Sequence, residues 1–180
     1  MALLIFAAGG FLWFSGRHGA TVGGPFTLVN GQGKTVSSTM FRGKYMLVYF
    51  GYTHCPDVCP TTLSDIAIAL KQIGPKAKQV VPLFITVDPA RDTPAVIQRY
   101  TALFSPRIVG LTGTAAQIAT AAREYHVYYA KHVTGPGPND YSMDHSSVMY
   151  LMGPAGRFLA PIAADGSVRR LVATLERVVS

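Results

Sequence analysis

Cys55 and Cys59 are the two cysteines of this 180-residue chain, four apart in Gly51-Tyr52-Thr53-His54-Cys55-Pro56-Asp57-Val58-Cys59-Pro60. A thiolate is both a nucleophile and a soft-metal ligand, so a close pair can form a redox-active disulfide or hold one ion. A purely structural bridge is the weaker reading, because closing so short a loop constrains the unfolded chain little. Two inert core cysteines are the bland alternative. The flanking Pro56 and Pro60, and a position just after an apolar run, argue against that. Spacing alone leaves disulfide and metal open, and a third ligand would decide between them. A cuprous ion is well served by thiolates and imidazole. Zinc prefers four ligands, so a set of two cysteines and one histidine points to copper.

The chain holds five histidines: His18, His54, His126, His132 and His145. His18 sits in a glycine-rich stretch. His54 adjoins Cys55, and neighbouring side chains of an extended loop point to opposite sides. His126 and His132 flank a tyrosine-rich segment and read as partly exposed. His145, in Asp144-His145-Ser146-Ser147, lies where a loop meets a strand and is the best candidate for the third ligand. Met143, Met149 and Met152 also offer soft sulfur, but Met149 and its neighbours fit the period of a strand core.

The elements that must position these groups follow from periodicity. Tyr45–Phe50 is uninterruptedly apolar, as suits a central strand covered on both faces. Pro60 fits the first turn of a helix, which puts Cys59 at its cap and Cys55 in the loop before it. Leu63, Ile66, Ala67, Leu70 and Ile73 recur at helical spacing until Gly74-Pro75. Upstream, Phe26–Val29 and Lys34–Val36 flank an Asn-Gly turn and predict a hairpin. Downstream, Leu83–Val87 predicts a second buried strand, with Pro82 at its start. Thr93 caps a helix running from Pro94 to Phe104. Ile108–Leu111 predicts a short strand. Thr114 and Gln117 form a capping box for a helix that reaches Tyr125. His126–Lys131 predicts a further strand, and Thr134–Asp144 a mobile Gly/Pro-rich loop. Ser147–Met152 and Arg157–Pro161 predict a β-hairpin, and Ser167 caps a last helix. The order implies an α/β protein with a thioredoxin-like outline, an N-terminal β-hairpin and insertions.

A content of 49% hydrophobic and 14% charged residues buries a full core and excludes a disordered chain. The net charge of +7 is spread over scattered Lys and Arg, with no run longer than Arg169-Arg170. A nucleic-acid partner is therefore not expected, and the charge reads as a solvated basic surface. Ala2–Phe14 carries no charge and as a helix would span roughly 20 Å, short of a hydrocarbon core of about 30 Å. Residues 1–16 read as a membrane anchor that begins upstream of Met1, residues 17–24 as a linker and residues 25–180 as one domain. With no cysteine near the apolar run, a lipoprotein anchor is not expected. Arg17 on its far side would, by charge alone, keep the domain in the cytoplasm.

Three motifs together resemble one family. Gly51–Pro60, then Val87-Asp88-Pro89-Ala90-Arg91-Asp92-Thr93-Pro94, then Asp144-His145-Ser146-Ser147 are similar in order and spacing to the Sco/SenC copper-binding proteins. The resemblance runs from about Pro25 to the last helix. It implies a thioredoxin-like domain on a membrane anchor, facing the bacterial periplasm or the mitochondrial intermembrane space. It implies copper, as Cu(I), Cu(II) or both, held by Cys55, Cys59 and His145, with Asp88 near the site as a supporting residue. The implied role is a metallochaperone for the dinuclear copper centre of cytochrome c oxidase subunit II, with another copper chaperone as a further partner. The alternative is a thiol–disulfide reductase that keeps the oxidase's copper-site cysteines reduced. It uses the same cysteines, redox-active in that case, and does not need His145. A peroxidase of the same fold is less well matched, since peroxidatic cysteines pair with Thr and Arg.

Overall fold

The computed structural model describes residues 22–180. The apolar run 1–16, His18 and most of the linker 17–24 lie outside the described residues. Among the described residues, no helix is long and apolar enough to cross a membrane.

Seven strands form one sheet in the order β2-β1-β5-β4-β3-β8-β9. The first hairpin, β1 (Thr27–Asn30) and β2 (Thr35–Ser37), forms where the Asn-Gly turn predicts it. It is followed by β3 (Tyr45–Gly51), α1 (Val58–Gln72), β4 (Val80–Thr86), α2 (Pro94–Ala102), β5 (Val109–Thr112) and α3 (Ala115–Glu124). Two further strands, β6 (Tyr129–Val133) and β7 (Tyr141–His145), form a separate antiparallel pair. The chain closes with β8 (Val148–Met152), β9 (Phe158–Ala163) and α4 (Val168–Val178).

β3 is parallel to β4, and β4 to β5. Every residue of β3 after Tyr45 is buried, the mark of a strand covered on both sides. Alternation assigns the two coverings. Tyr45 and Tyr49 face α1 and α4, where they reach Ser180 and Cys59. Phe50 faces the opposite way, onto Tyr125 at the end of α3 with ring centroids 5.5 Å apart, and onto Tyr150 of β8. Tilted and edge-on aromatic pairs of this kind add about 0.5–1.5 kcal/mol each beyond burial. Among the described residues the core runs from Phe26 to Val179.

Three expectations are corrected. β4 begins at Val80, so Pro82 sits inside it. The strand tolerates it because pairing with β5 starts only at Leu83, leaving β4 with one neighbour at that level. The tyrosine-rich strand is Tyr129–Val133 rather than His126–Lys131. His126 instead takes a positive φ of 55° after α3, which turns the chain out of the helix. The Gly/Pro-rich loop is shorter than expected, because 141–145 pair with 129–133 as β7. His145 is therefore the last residue of a strand. The capping box at Thr114 and Gln117 and the Ser167 cap form as predicted, and Thr93 caps a helix that ends two residues earlier than Phe104.

Candidate metal centre

β3 ends at Gly51, and the chain turns through 52–57 into α1. The helix begins at Val58, with Asp57 in the position before it and no side-chain cap, so Cys59 is its second residue and not its cap. Pro60 at the third position is equally tolerated, because no N–H of the first turn has an intrahelical partner. The shift places Cys59 under the strand end, wholly buried, with Cys55 in the loop above it. Gly51 makes room: a Cβ there would lie 2.6 Å from the Cys59 sulfur and 2.8 Å from the Phe84 ring.

His145 arrives at the end of β7, from the separate β6–β7 pair. The two sulfurs and a ring nitrogen of His145 all lie within 4.8 Å of one another. Nε2 of His145 is 3.4 Å from Sγ of Cys59. Nδ1 is 3.2 Å from the carbonyl oxygen of Ser146. A carbonyl only accepts, so Nδ1 carries the proton and Nε2 keeps its lone pair facing the sulfurs. The rings of Tyr49 and Tyr52 stand edge-on to the imidazole at 6.1 and 5.9 Å. An ion with bonds of about 2.0–2.3 Å to three donors holds them roughly 3.5–4 Å apart, so a small contraction closes the set. Two soft sulfurs and an imidazole suit a soft d¹⁰ ion. Among the described residues no fourth Cys, His, Asp or Glu joins the group.

Both cysteines are free thiols, and they are not equivalent. The thiol of Cys59, hydrogen-bonded to Cys55, holds Cys55 far below the ordinary thiol range, down to about 3, with help from the N–H groups of Asp57 and Cys59 at the helix start. The Cys59 N–H lies 3.4 Å from the Cys55 sulfur. That same hydrogen bond, together with burial, pushes Cys59 up, so it keeps the shared proton. Tyr49 donates its hydroxyl to Cys59 at 3.7 Å. Burial holds that phenol in its protonated form. In the reduced, metal-free protein Cys55 should react with iodoacetamide at a nearly constant rate from pH 8 to pH 5. An ordinary thiol would slow about tenfold per unit over that span. Peptide mapping of the label checks this, and Cys59→Ala should return the profile toward an ordinary thiol. A steep wild-type profile would overturn the asymmetry.

The other three described histidines stay apart. His54 turns away from the cysteines, as its neighbour relation predicts, and places Nδ1 3.1 Å from Thr53 Oγ1. His132 pairs with Asp144 at 2.8 Å on the exposed face of the β6–β7 hairpin. His126 is exposed. Met143, Met149 and Met152 are buried in the core cluster.

Asp88 does not reach the sulfurs with its own carboxylate. Oδ2 is ion-paired to Arg91 Nε, and Oδ1 accepts from the Tyr141 hydroxyl at 2.9 Å. Arg91 in turn donates to the carbonyls of Asn139 and Tyr141, and its guanidinium lies 3.6 Å over the Tyr141 ring. Asp88 thus fastens the start of β7, and His145 is the last residue of the same strand. The sequence reading assigned no role to Asp92. It is wholly buried and accepts from Thr53 N at 3.0 Å, Thr53 Oγ1 at 2.6 Å and Thr86 Oγ1 at 2.6 Å. It ties the cysteine loop to the end of β4. A carboxylate four residues past Asp88, with threonines at 53, 86 and 93, was the available signal.

The model of the SCO1/SenC protein family matches residues 15–180. The chain is 45% identical over 141 residues to the Arabidopsis thaliana protein SCO1 homolog 1, mitochondrial, covering 78% of this chain and 42% of that one. It is 44% identical over 145 residues to protein SenC of Rhodobacter capsulatus, covering 81% of this chain and 65% of that one. The chain therefore spans less than two thirds of the length of either relative. Among solved structures, Bradyrhizobium japonicum ScoI with copper bound is similar at a TM-score of 0.78 and 43% identity, over 87% of this chain and 98% of that one. Its fold confirms the thioredoxin-like architecture.

Proposed function

Because this chain belongs to the SCO1/SenC family, we propose that it binds copper as cargo through Cys55, Cys59 and His145 and serves the assembly of cytochrome c oxidase, as a metallochaperone for the dinuclear centre of subunit II. The observation that carries this reading is the convergence of two sulfurs and one imidazole nitrogen within 4.8 Å from three separate elements. Cys55 is the preformed thiolate. Cys59 gives up its proton as the ion arrives, and Tyr49 remains as a donor to its sulfur. His145 needs no tautomer change, since Nδ1–H is already committed to Ser146. Release proceeds by exchange with a partner's thiolates. Asp88 supports the site by holding the strand that presents His145. The domain works on a membrane anchor formed by residues 1–16, in the bacterial periplasm or the mitochondrial intermembrane space, with another copper chaperone as a candidate donor.

A second reading, a thiol–disulfide reductase for the oxidase's copper-site cysteines, is favoured by one observation. A thiolate beside a protonated partner thiol is the arrangement a dithiol reductant needs. Copper content after dialysis of the fully reduced protein, beside Cys59→Ser and His145→Ala, separates the two. We expect wild type to retain one equivalent and both variants to lose it. If wild type retains none, or if His145→Ala retains it as well as wild type, the copper assignment of this triad fails. Full disulfide reduction by the His145 variant would then favour the reductase.

A further inference from the structure

The Lys and Arg residues that look scattered along the chain are gathered by the fold at one end of the sheet. β3, β4 and β5 are parallel, so the segments leading into them share one edge. β8 runs antiparallel to β3 with Met46 opposite Met152, which brings the β8–β9 turn to that edge too. These four segments, 38–44, 74–79, 103–108 and 153–157, carry Arg42, Lys44, Lys76, Lys78, Arg107 and Arg157, and contain no Asp or Glu. Cross-links confirm the grouping: Arg42 donates to Ala155 O, Lys44 to Lys78 O, and Arg107 to Ala77 O and Val80 O. Lys76 donates to the backbone carbonyls of Glu176 and Val179 at the end of α4, and the Glu124 carboxylate lies against Gly24. Met40 stands 67% exposed on the same rim.

The chain also enters the domain here. Gly24 and Pro25 line one cleft together with Thr39, Arg42, Pro154 and Gly156, about ten residues after the uncharged run Ala2–Phe14. The copper ligands gather at the opposite end of β3, about 20 Å away along the strand.

We infer that this pole is a docking surface for an anionic phospholipid headgroup layer. Six cations from four segments that hold no Asp or Glu, an exposed methionine and the point where the described chain enters the domain all meet on one face. Such a surface attracts basic side chains strongly within a Debye length. Docked this way, the domain turns Cys55, Cys59 and His145 away from the bilayer, toward a partner's soluble domain. The inference rests on the copper reading only for that last consequence, not for the binding itself.

The test uses the domain from Val22 onward, which holds the described core from Phe26 to Val179, in co-sedimentation with vesicles. One set is phosphatidylcholine alone, and the other is one-third phosphatidylglycerol. Wild type should bind the anionic vesicles, release them at high salt, and ignore the neutral ones. Lys78→Glu/Arg157→Glu removes two exposed cations that make no side-chain hydrogen bonds among the described residues, and should weaken binding more than tenfold. Arg169→Glu/Arg170→Glu, at the far end of α4, makes the same change in net charge and should weaken it far less. Equal loss in both variants, equal binding to neutral vesicles, or no binding to anionic ones would overturn the inference. So would tighter binding to random-sequence duplex DNA than to the anionic vesicles. Copper retention by the variants, read in parallel, reports separately on the metal site.

Discussion

Replacing Asp92 with alanine is expected to destabilise the domain by about 3–5 kcal/mol, the largest effect of any polar residue outside the three donors. Three donors converge on this one carboxylate: the N–H and hydroxyl of Thr53 and the hydroxyl of Thr86. Asp92 has no exposed surface, so water does not replace what the carboxylate provides. An unpaired buried donor costs about 1–3 kcal/mol. Thr53 belongs to the loop that holds Cys55, whereas Thr86 ends β4. The loss should therefore appear twice. Chemical denaturation should show a lower midpoint at unchanged slope, and copper retention should fall because the loop no longer holds Cys55 over Cys59. A destabilisation below about 1 kcal/mol would show that the loop is held by something else.

Asp88→Ala should lower copper affinity about ten- to hundredfold while leaving both cysteines in place. The substitution strips a partner from Arg91, whose side chain is only 9% exposed, and from the Tyr141 hydroxyl. Breaking a buried ion pair from one side leaves an uncompensated charge. Arg91 then loses its reason to stay under Tyr141, and β7 loses its anchor to the loop after β4. His145 is carried on that strand, so the effect should pass through it. A double-mutant cycle tests the route. In a His145→Ala background, Asp88→Ala should add little further loss of affinity. Full additivity would mean that Asp88 acts on the cysteines and not through the hairpin.

Both predictions concern residues that the sequence placed in a single short motif, Asp88-Pro89-Ala90-Arg91-Asp92, yet the three charged members do different things. Asp88 and Arg91 reach across to β7, while Asp92 turns back to the cysteine loop. Nothing local distinguishes them, because each is defined by a partner some 40 or 50 residues away in the chain. The helix carrying Cys59 shows a smaller version of the same limit. Pro60 correctly signalled a first turn, but three positions of that turn lack partners for their N–H groups, so proline could not say which of them it occupied. The hairpin β6–β7 was partly hidden for another reason. Its Gly/Pro-rich tip spans 134–140, and the loop signal spilled into Tyr141–His145, whose strand character rests on pairing with Tyr129–Val133.

By itself the sequence determined the buried strand before the cysteines, the capped helices, both hairpin turns and the thioredoxin-like order of elements. These follow from periodicity and turn chemistry, which act over a few residues. It also determined the pair Cys55 and Cys59, since their spacing brings them together in any strand–loop–helix unit. Tertiary structure decided which histidine faces them: among the described residues, His145 alone brings a ring nitrogen to the sulfurs. It also decided that six cations spread from Arg42 to Arg157 share one pole. Both outcomes depend on the parallel register of the central strands and the antiparallel return of β8, and contacts of that range are set by packing of the whole core rather than by any stretch of chain.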